Sequence, residues 1–206
     1  MAQSTRAVAA LIAAVLIPAS ARAQGNDSFA PSRIFDALAL RDGATVCELG
    51  AGDGALSIAA AARVGSRGHV YTNELGNDRV KALRARVTAA NQPQIDVVAG
   101  APDRTNLPDG ACDALFMRNV YHHFAAPGPM GAALAAALKP GGRLAIVDFA
   151  PPGDEAPMPA DRDEDGTHGV TPESVRHELM EAGFEVERTE RAGSGRAFMV
   201  VAARGR

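Results

Sequence analysis

Val46-Cys47-Glu48-Leu49-Gly50-Ala51-Gly52-Asp53-Gly54 is a short apolar run that breaks into glycines at alternate positions. Ala44–Leu49 reads as a buried strand after the breaker Arg41-Asp42-Gly43. Ala55–Val64 reads as an Ala-rich helix closed by Gly65, so the glycines fall in a strand-to-helix turn. Gly50 and Gly52 let the chain turn tightly and let a ligand approach the backbone, and Gly54 permits close packing where the helix begins. A second strand, His69–Asn73, is followed by Glu74, about 20 residues after the last turn glycine. A carboxylate there can accept both ribose hydroxyl protons of a nucleoside held by the turn.

Outward from the turn, strand and helix alternate. Ser32–Leu40 has helical spacing with Ser32 as N-cap. Gly76–Ala90 is a basic helix, Gln94–Ala99 a third strand and Ala114–Val120 a fourth. Pro129–Leu138 is helical. Lys139-Pro140-Gly141-Gly142 turns sharply into a fifth strand, Arg143–Phe149. Thr171 caps a last helix with Pro172 at its first position, and Gly183 closes it. Phe184–Glu190 and Ala197–Ala203 read as a terminal hairpin. The class is α/β, with helices on both faces of a mostly parallel central sheet and an antiparallel C-terminal hairpin strand.

Glu48-x-Gly50-x-Gly52-x-Gly54, with Asp53 in the turn, resembles the first motif of the class I S-adenosylmethionine-dependent methyltransferases. The G-x-G-x-x-G spacing of dinucleotide enzymes is absent from this turn. Leu107-Pro108-Asp109-Gly110-Ala111-Cys112-Asp113, Leu138-Lys139-Pro140-Gly141-Gly142-Arg143-Leu144 and Glu181-Ala182-Gly183-Phe184 resemble later segments of the same family, in its quinone and small-molecule branch. The resemblance implies a Rossmann-like fold and S-adenosylmethionine as cofactor. It places Glu48, Gly50, Ala51, Gly52, Asp53 and Gly54 at the amino acid end of that cofactor and Glu74 at its ribose. Ala101 stands where the family often has an adenine-binding Asp, so Asp103 and Arg104 are the substitutes at hand.

Arg118-Asn119-Val120-Tyr121-His122-His123-Phe124 ends the fourth strand at the same crevice. The resemblance makes Arg118 and Asn119 cofactor neighbours and sets the rest at the acceptor. Methyl transfer needs an aligned acceptor and, for O–H or N–H acceptors, removal of a proton. His122 or His123 is the candidate base, and Tyr121 or Asn119 the candidate positioning group. Asp148 and His168 are candidate rim residues. The Pro- and Asp-rich stretch Ala150–Gly169 reads as a mobile, solvated lid. Within it Asp161–Gly166 matches half of a calcium loop, but position 12 is Pro172, and no metal-ligand set is assigned. Cys47 falls inside a core strand and Cys112 at the start of another. An oxidising compartment permits a disulfide, yet they read as two separate buried thiols.

Residues 1–23 read as a signal peptide: Arg6, the apolar run Ala7–Ile17, Pro18, then Ala21-Arg22-Ala23 for cleavage before Gln24. The single methyltransferase-like domain is then 24–206, and the expected location is the periplasm or the extracellular space. The formal net charge is −3 and the signal carries arginines but no acid, so the remainder is more acidic still. Nucleic acid is therefore an unsuitable partner, and no later segment is apolar enough to span a membrane. The implied partner is a small-molecule or lipid-like methyl acceptor. The alternative is an exported, non-catalytic ligand-binding protein on the same scaffold; the intact turn and Glu74 favour the enzyme.

Overall fold

Seven strands lie in the order β3-β2-β1-β4-β5-β7-β6 in the computed structural model, which describes residues 29–164, 166–193 and 195–205. They are β1 (Thr45–Leu49), β2 (His69–Glu74), β3 (Ile95–Ala99), β4 (Cys112–Arg118), β5 (Leu138–Phe149), β6 (Phe184–Arg191) and β7 (Ala197–Arg204). The helices are α1 (Pro31–Ala37), α2 (Ala55–Val64), α3 (Asn77–Ala89), α4 (Pro127–Ala137) and α5 (Pro172–Glu181). β1 to β5 are parallel, and β7 runs antiparallel between β5 and β6. The proposed signal peptide lies outside the described residues. Among the described residues, no helix is long and apolar enough to cross a membrane.

Alternate side chains of each strand enter opposite cores, as the two-residue repeat of a strand requires. Val46, Ala114, Phe116, Ala145 and Val147 pack with α1, α2 and α3. Cys47, Leu49, Leu115, Met117, Leu144 and Ile146 pack with α4 and α5. Helices therefore cover both faces, and the strand ends alone remain for ligands. Strand order reverses between β1 and β4, so the carboxyl ends of these two strands flank the cleft that such sheets offer a ligand.

Three local expectations are corrected. Helix α1 begins at Pro31 with Ala30 as its cap, and Ser32 lies inside the first turn. Proline supplies a preset φ at that position and no N–H is lost. Thr171, by contrast, caps α5 as expected, accepting from the Ser174 N–H. The second correction concerns cysteine: Cys47 and Cys112 are joined in a disulfide, with Cα atoms 5.8 Å apart. The bond ties neighbouring strands β1 and β4 on one face of the sheet. Burial among apolar residues argued for thiols, but pairing of the two strands sets the distance, and linear sequence does not show it.

Third, the 150–169 segment is anchored through Arg162, while its acidic side chains Asp154, Asp163 and Glu164 stay exposed as a solvated face. Arg162 is almost fully buried, its Nε lying 3.0 Å from Glu155 and its Nη2 2.5 Å from Glu178 of α5. Glu155 in turn accepts from the Thr171 N–H at 3.1 Å. Glu178 takes two hydrogen bonds from the guanidinium, while the close approach of Nε to Glu155 Oε1 is an ion pair without a hydrogen bond. Gly169 N–H and Val170 N–H bond to Arg162 and Phe149 carbonyls, fixing the exit of the loop.

The disulfide closes a span of 65 residues. Replacing both Cys47 and Cys112 by Ala is expected to cost about 2–4 kcal/mol in urea unfolding. Dithiothreitol should destabilise the wild type by a similar amount and leave the double variant unchanged.

Candidate active site

The glycine turn is held from below by β2. Gly50 N–H donates to Asn73 Oδ1 at 2.9 Å, Ala51 N–H to the Asn73 carbonyl at 2.9 Å, and Gly52 N–H to Glu74 Oε2 at 2.7 Å. Glu74 also accepts from the Leu75 N–H at 2.7 Å and lies 3.5 Å from Arg79. Turn and carboxylate, 22 residues apart in sequence, thus share one site. Asn73 was missed by sequence reasoning. It reaches further, donating through Nδ2 to the Thr105 carbonyl at 2.7 Å, and so links the turn to the loop after β3.

Gly50, Gly52 and Gly54 have φ of +69°, +56° and +76°. Their surroundings differ. A Cβ on Gly50 would lie 2.5 Å from Val120, and one on Gly54 would lie 2.7 Å from Leu83 of α3. Nothing lies within 4 Å of a Cβ on Gly52, so the peptide there fronts free space. Asp53 Oδ1 accepts from Ala55 N–H at 3.0 Å, securing the start of α2.

Glu48 faces inward instead. Its carboxyl bonds to Ser57 of α2, and Ser57 lies 3.0 Å from Thr72. Burial pushes its pKa up to about 8, with the Ser57 hydroxyl and Arg118 drawing it back. Ser57 donates to Glu48, and because a hydroxyl has a single proton, the contact of Ser57 with Thr72 is then served by the Thr72 hydroxyl. Glu48 supports the turn from beneath and stays clear of the cleft.

Arg118 ends β4. Its Nη2 donates to the Phe29 carbonyl at 2.8 Å, while its buried Nε has no partner among the described residues. Burial lowers its pKa, partly offset by Glu48. Asn119, next in sequence, has φ of +55°, a left-handed backbone that asparagine adopts more readily than most side-chain-bearing residues. Asp103 and Arg104 lie on an exposed turn, 3.8 Å from each other.

The histidines take different positions. His122 is 2% exposed, its Nδ1 lying 2.8 Å from Oδ1 of the fully buried Asp148. Asp148 also accepts from the backbone N–H groups of His122 and Phe149. His123 is half exposed with Nδ1 2.6 Å from Asp163. His168 brings Nε2 to 3.1 Å from His122 Nε2. The candidate rim residues Asp148 and His168 therefore meet at His122. Tyr121 does not join them. It is buried against Phe124 with ring centroids 5.0 Å apart, and burial beside Glu178 holds its phenol protonated. Asp163 faces the histidines rather than a calcium-loop centre, and Asp165 lies outside the described residues. A groove at the opposite ends of the strands, lined by Asp42, Asp113, Arg143 and Glu187, faces away from all of these groups.

Residues 47–146 match the model of a family described as a methyltransferase domain. A search of curated protein sequences gives no match. Among solved structures, a SAM-dependent methyltransferase from Aquifex aeolicus shares 26% identity over 85% of this chain and 89% of that one, with a TM-score of 0.72. An S-adenosylmethionine-dependent methyltransferase from Mesorhizobium loti is 19% identical over 84% of this chain and 96% of its own, with a TM-score of 0.68. The [4+2]-cyclase SpnF is 15% identical over 85% and 80%, with a TM-score of 0.74, a likeness of fold alone. Together the family match over residues 47–146, the sheet order and the first of these structures show a methyltransferase domain of the class I, S-adenosylmethionine-dependent type.

The raised pKa of Glu48 has a signed consequence for stability. Near pH 4 the carboxyl is protonated or nearly so in folded and unfolded chains alike. As pH rises from there towards 8, the unfolded chain releases the proton while the folded one keeps it. Stability then falls by about 1.4 kcal/mol per pH unit from this group, and levels above its folded pKa. Glu48→Gln is expected to remove that fall in urea unfolding between pH 5 and 8. Parallel pH profiles for variant and wild type would show that Glu48 is ionised in the fold.

Proposed function

We propose that this protein transfers a methyl group from S-adenosylmethionine to a small-molecule or lipid-like acceptor held beside His122. The observation that carries the reading is the shared site of the glycine turn and Glu74, with Gly52 N–H and the Glu74 carboxylate 2.7 Å apart. The residues suit the cofactor. The free space over Gly52 admits a group against the backbone. The unpartnered Arg118 Nε offers a charge-assisted donor for a carboxylate. Glu74 presents a carboxylate beside the turn, the group that ribose hydroxyls would donate to.

When bound, the cofactor supplies an electrophilic methyl on a sulfonium. The chain supplies placement. Val120, against Gly50, seats the β4 loop on the turn, so the acceptor side and the donor side are packed together. Asp148 fixes the His122 ring with Nδ1–H towards the carboxylate, leaving Nε2 directed at His168 and Asp163. The acidic net charge favours a small acceptor over nucleic acid. We place the protein outside the cytoplasm on the 1–23 sequence, and a disulfide in the core suits an oxidising compartment.

Calorimetry on the chain from Gln24 onward should show binding of S-adenosylmethionine and S-adenosylhomocysteine and none of NAD. Glu74→Ala should weaken S-adenosylhomocysteine binding by about 1–3 kcal/mol through loss of a charged acceptor. Unchanged affinity in a folded variant would remove Glu74 from the cofactor site.

A further inference from the structure

His122, Asp163 and His168 bring one ligand atom each to within 4.8 Å of one another. Their Nε2 atoms are 3.1 Å apart, and Asp163 Oδ1 stands 3.9 Å from each. Two imidazoles and one carboxylate bonded to a single zinc ion at about 2.0–2.1 Å would stand roughly 3.3 Å apart. The observed triangle brackets that size. Its protonation pattern also suits a metal. Asp148 takes the His122 Nδ1–H, which leaves the Nε2 lone pair pointing at the triangle. A buried carboxylate behind a histidine is the usual outer support of a metal-bound imidazole. Asp163 is itself held by His123, whose Nδ1 lies 2.6 Å from the same Oδ1 and 2.8 Å from Oδ2.

We propose that His122, His168 and Asp163 form a divalent transition-metal site, with zinc the ion best suited to two nitrogens and one carboxylate oxygen. Neither the glycine turn nor the cofactor requires it. Its elements are three: His122 follows β4, its support Asp148 ends β5, and Asp163 and His168 come from the anchored loop. The buried Arg162 pairs and the Gly169 and Val170 backbone bonds hold that loop down and so fix the triangle. His168 and Asp163 are each half exposed, so a fourth ligand enters from the solvent side. A hydroxyl or thiol lone pair is the chemistry that position takes. A bound O–H or S–H loses its proton to water more readily there, because the cation stabilises the anion. That such a ligand is the methyl acceptor rests on the methyltransferase reading; the metal site does not.

The test uses the chain from Gln24 onward, stripped with a chelator and titrated with zinc chloride by calorimetry, with cobalt chloride followed by visible absorption. One zinc per chain is expected, with the intense cobalt bands of four-coordinate nitrogen and oxygen ligation. His168→Ala and Asp163→Ala, both at half-exposed positions, should abolish the cobalt bands and weaken zinc at least tenfold. Asp148→Asn should weaken zinc 10–100-fold through His122. Absence of stoichiometric zinc binding, or binding indifferent to His168→Ala, overturns the site. S-Adenosylhomocysteine is titrated in parallel. Its binding without zinc binding refutes the metal alone, and zinc binding without it refutes the methyltransferase reading alone.

Discussion

The left-handed backbone of the turn after β1 is the constraint on which the carboxyl edge of the sheet depends. Gly50, Gly52 and Gly54 all have positive φ, and two of the three have no room for a side chain. Val120 occupies the space a Cβ at Gly50 would need, and Leu83 the space at Gly54. The turn is therefore a junction. It receives the end of β4 on one side and helix α3 on the other, while Asn73 and Glu74 take its N–H groups from β2. A side chain at either crowded glycine would push apart the elements whose meeting makes the cleft.

A second set of constraints builds the acceptor side from buried charge. Asp148 has no exposure and gathers two backbone N–H groups and one imidazole. Arg162 is equally hidden and gathers two glutamates. An ionised group in an apolar interior is costly unless its partners are fixed, so each such group dictates the position of everything bonded to it. Asp148 thereby sets the plane of His122, and Arg162 sets the path of the loop that delivers Asp163 and His168. The two meet in one triangle because β5 leads directly into that loop.

These two regions differ in how far sequence alone reveals them. The turn was legible because glycine at alternate positions between a strand and a helix has few physical explanations, and because Glu74 ends the next strand in register. The alternation of elements and the antiparallel terminal pair were legible from periodicity. Asn73 was not, since an asparagine inside a strand carries no signal until its amide is seen to bridge two loops. Tyr121 was misleading for the opposite reason: it neighbours two histidines in sequence, but the short helical turn Tyr121–His123 sends it into the core. The 150–169 loop has no periodicity, so the burial of Arg162 within an acidic, Pro-rich stretch could not be read.

The disulfide joins these levels. Cys47 lies in β1, whose end carries the glycine turn, and Cys112 opens β4, whose end carries Arg118 and leads to the histidines. β1 and β4 are also the strands between which the sheet reverses its order. A covalent link between them therefore adds to the ladder that already pairs the two strands flanking the cleft, at a point buried within the core. Parallel strands pair without any tight turn to hold their register, and this pair is joined only through long crossovers. A crosslink here restrains the unfolded chain most effectively and acts on the contact that donor and acceptor sites share. The cysteines thus act on the same two strands as the glycines, Cys47 from the middle of β1 and Cys112 from the start of β4.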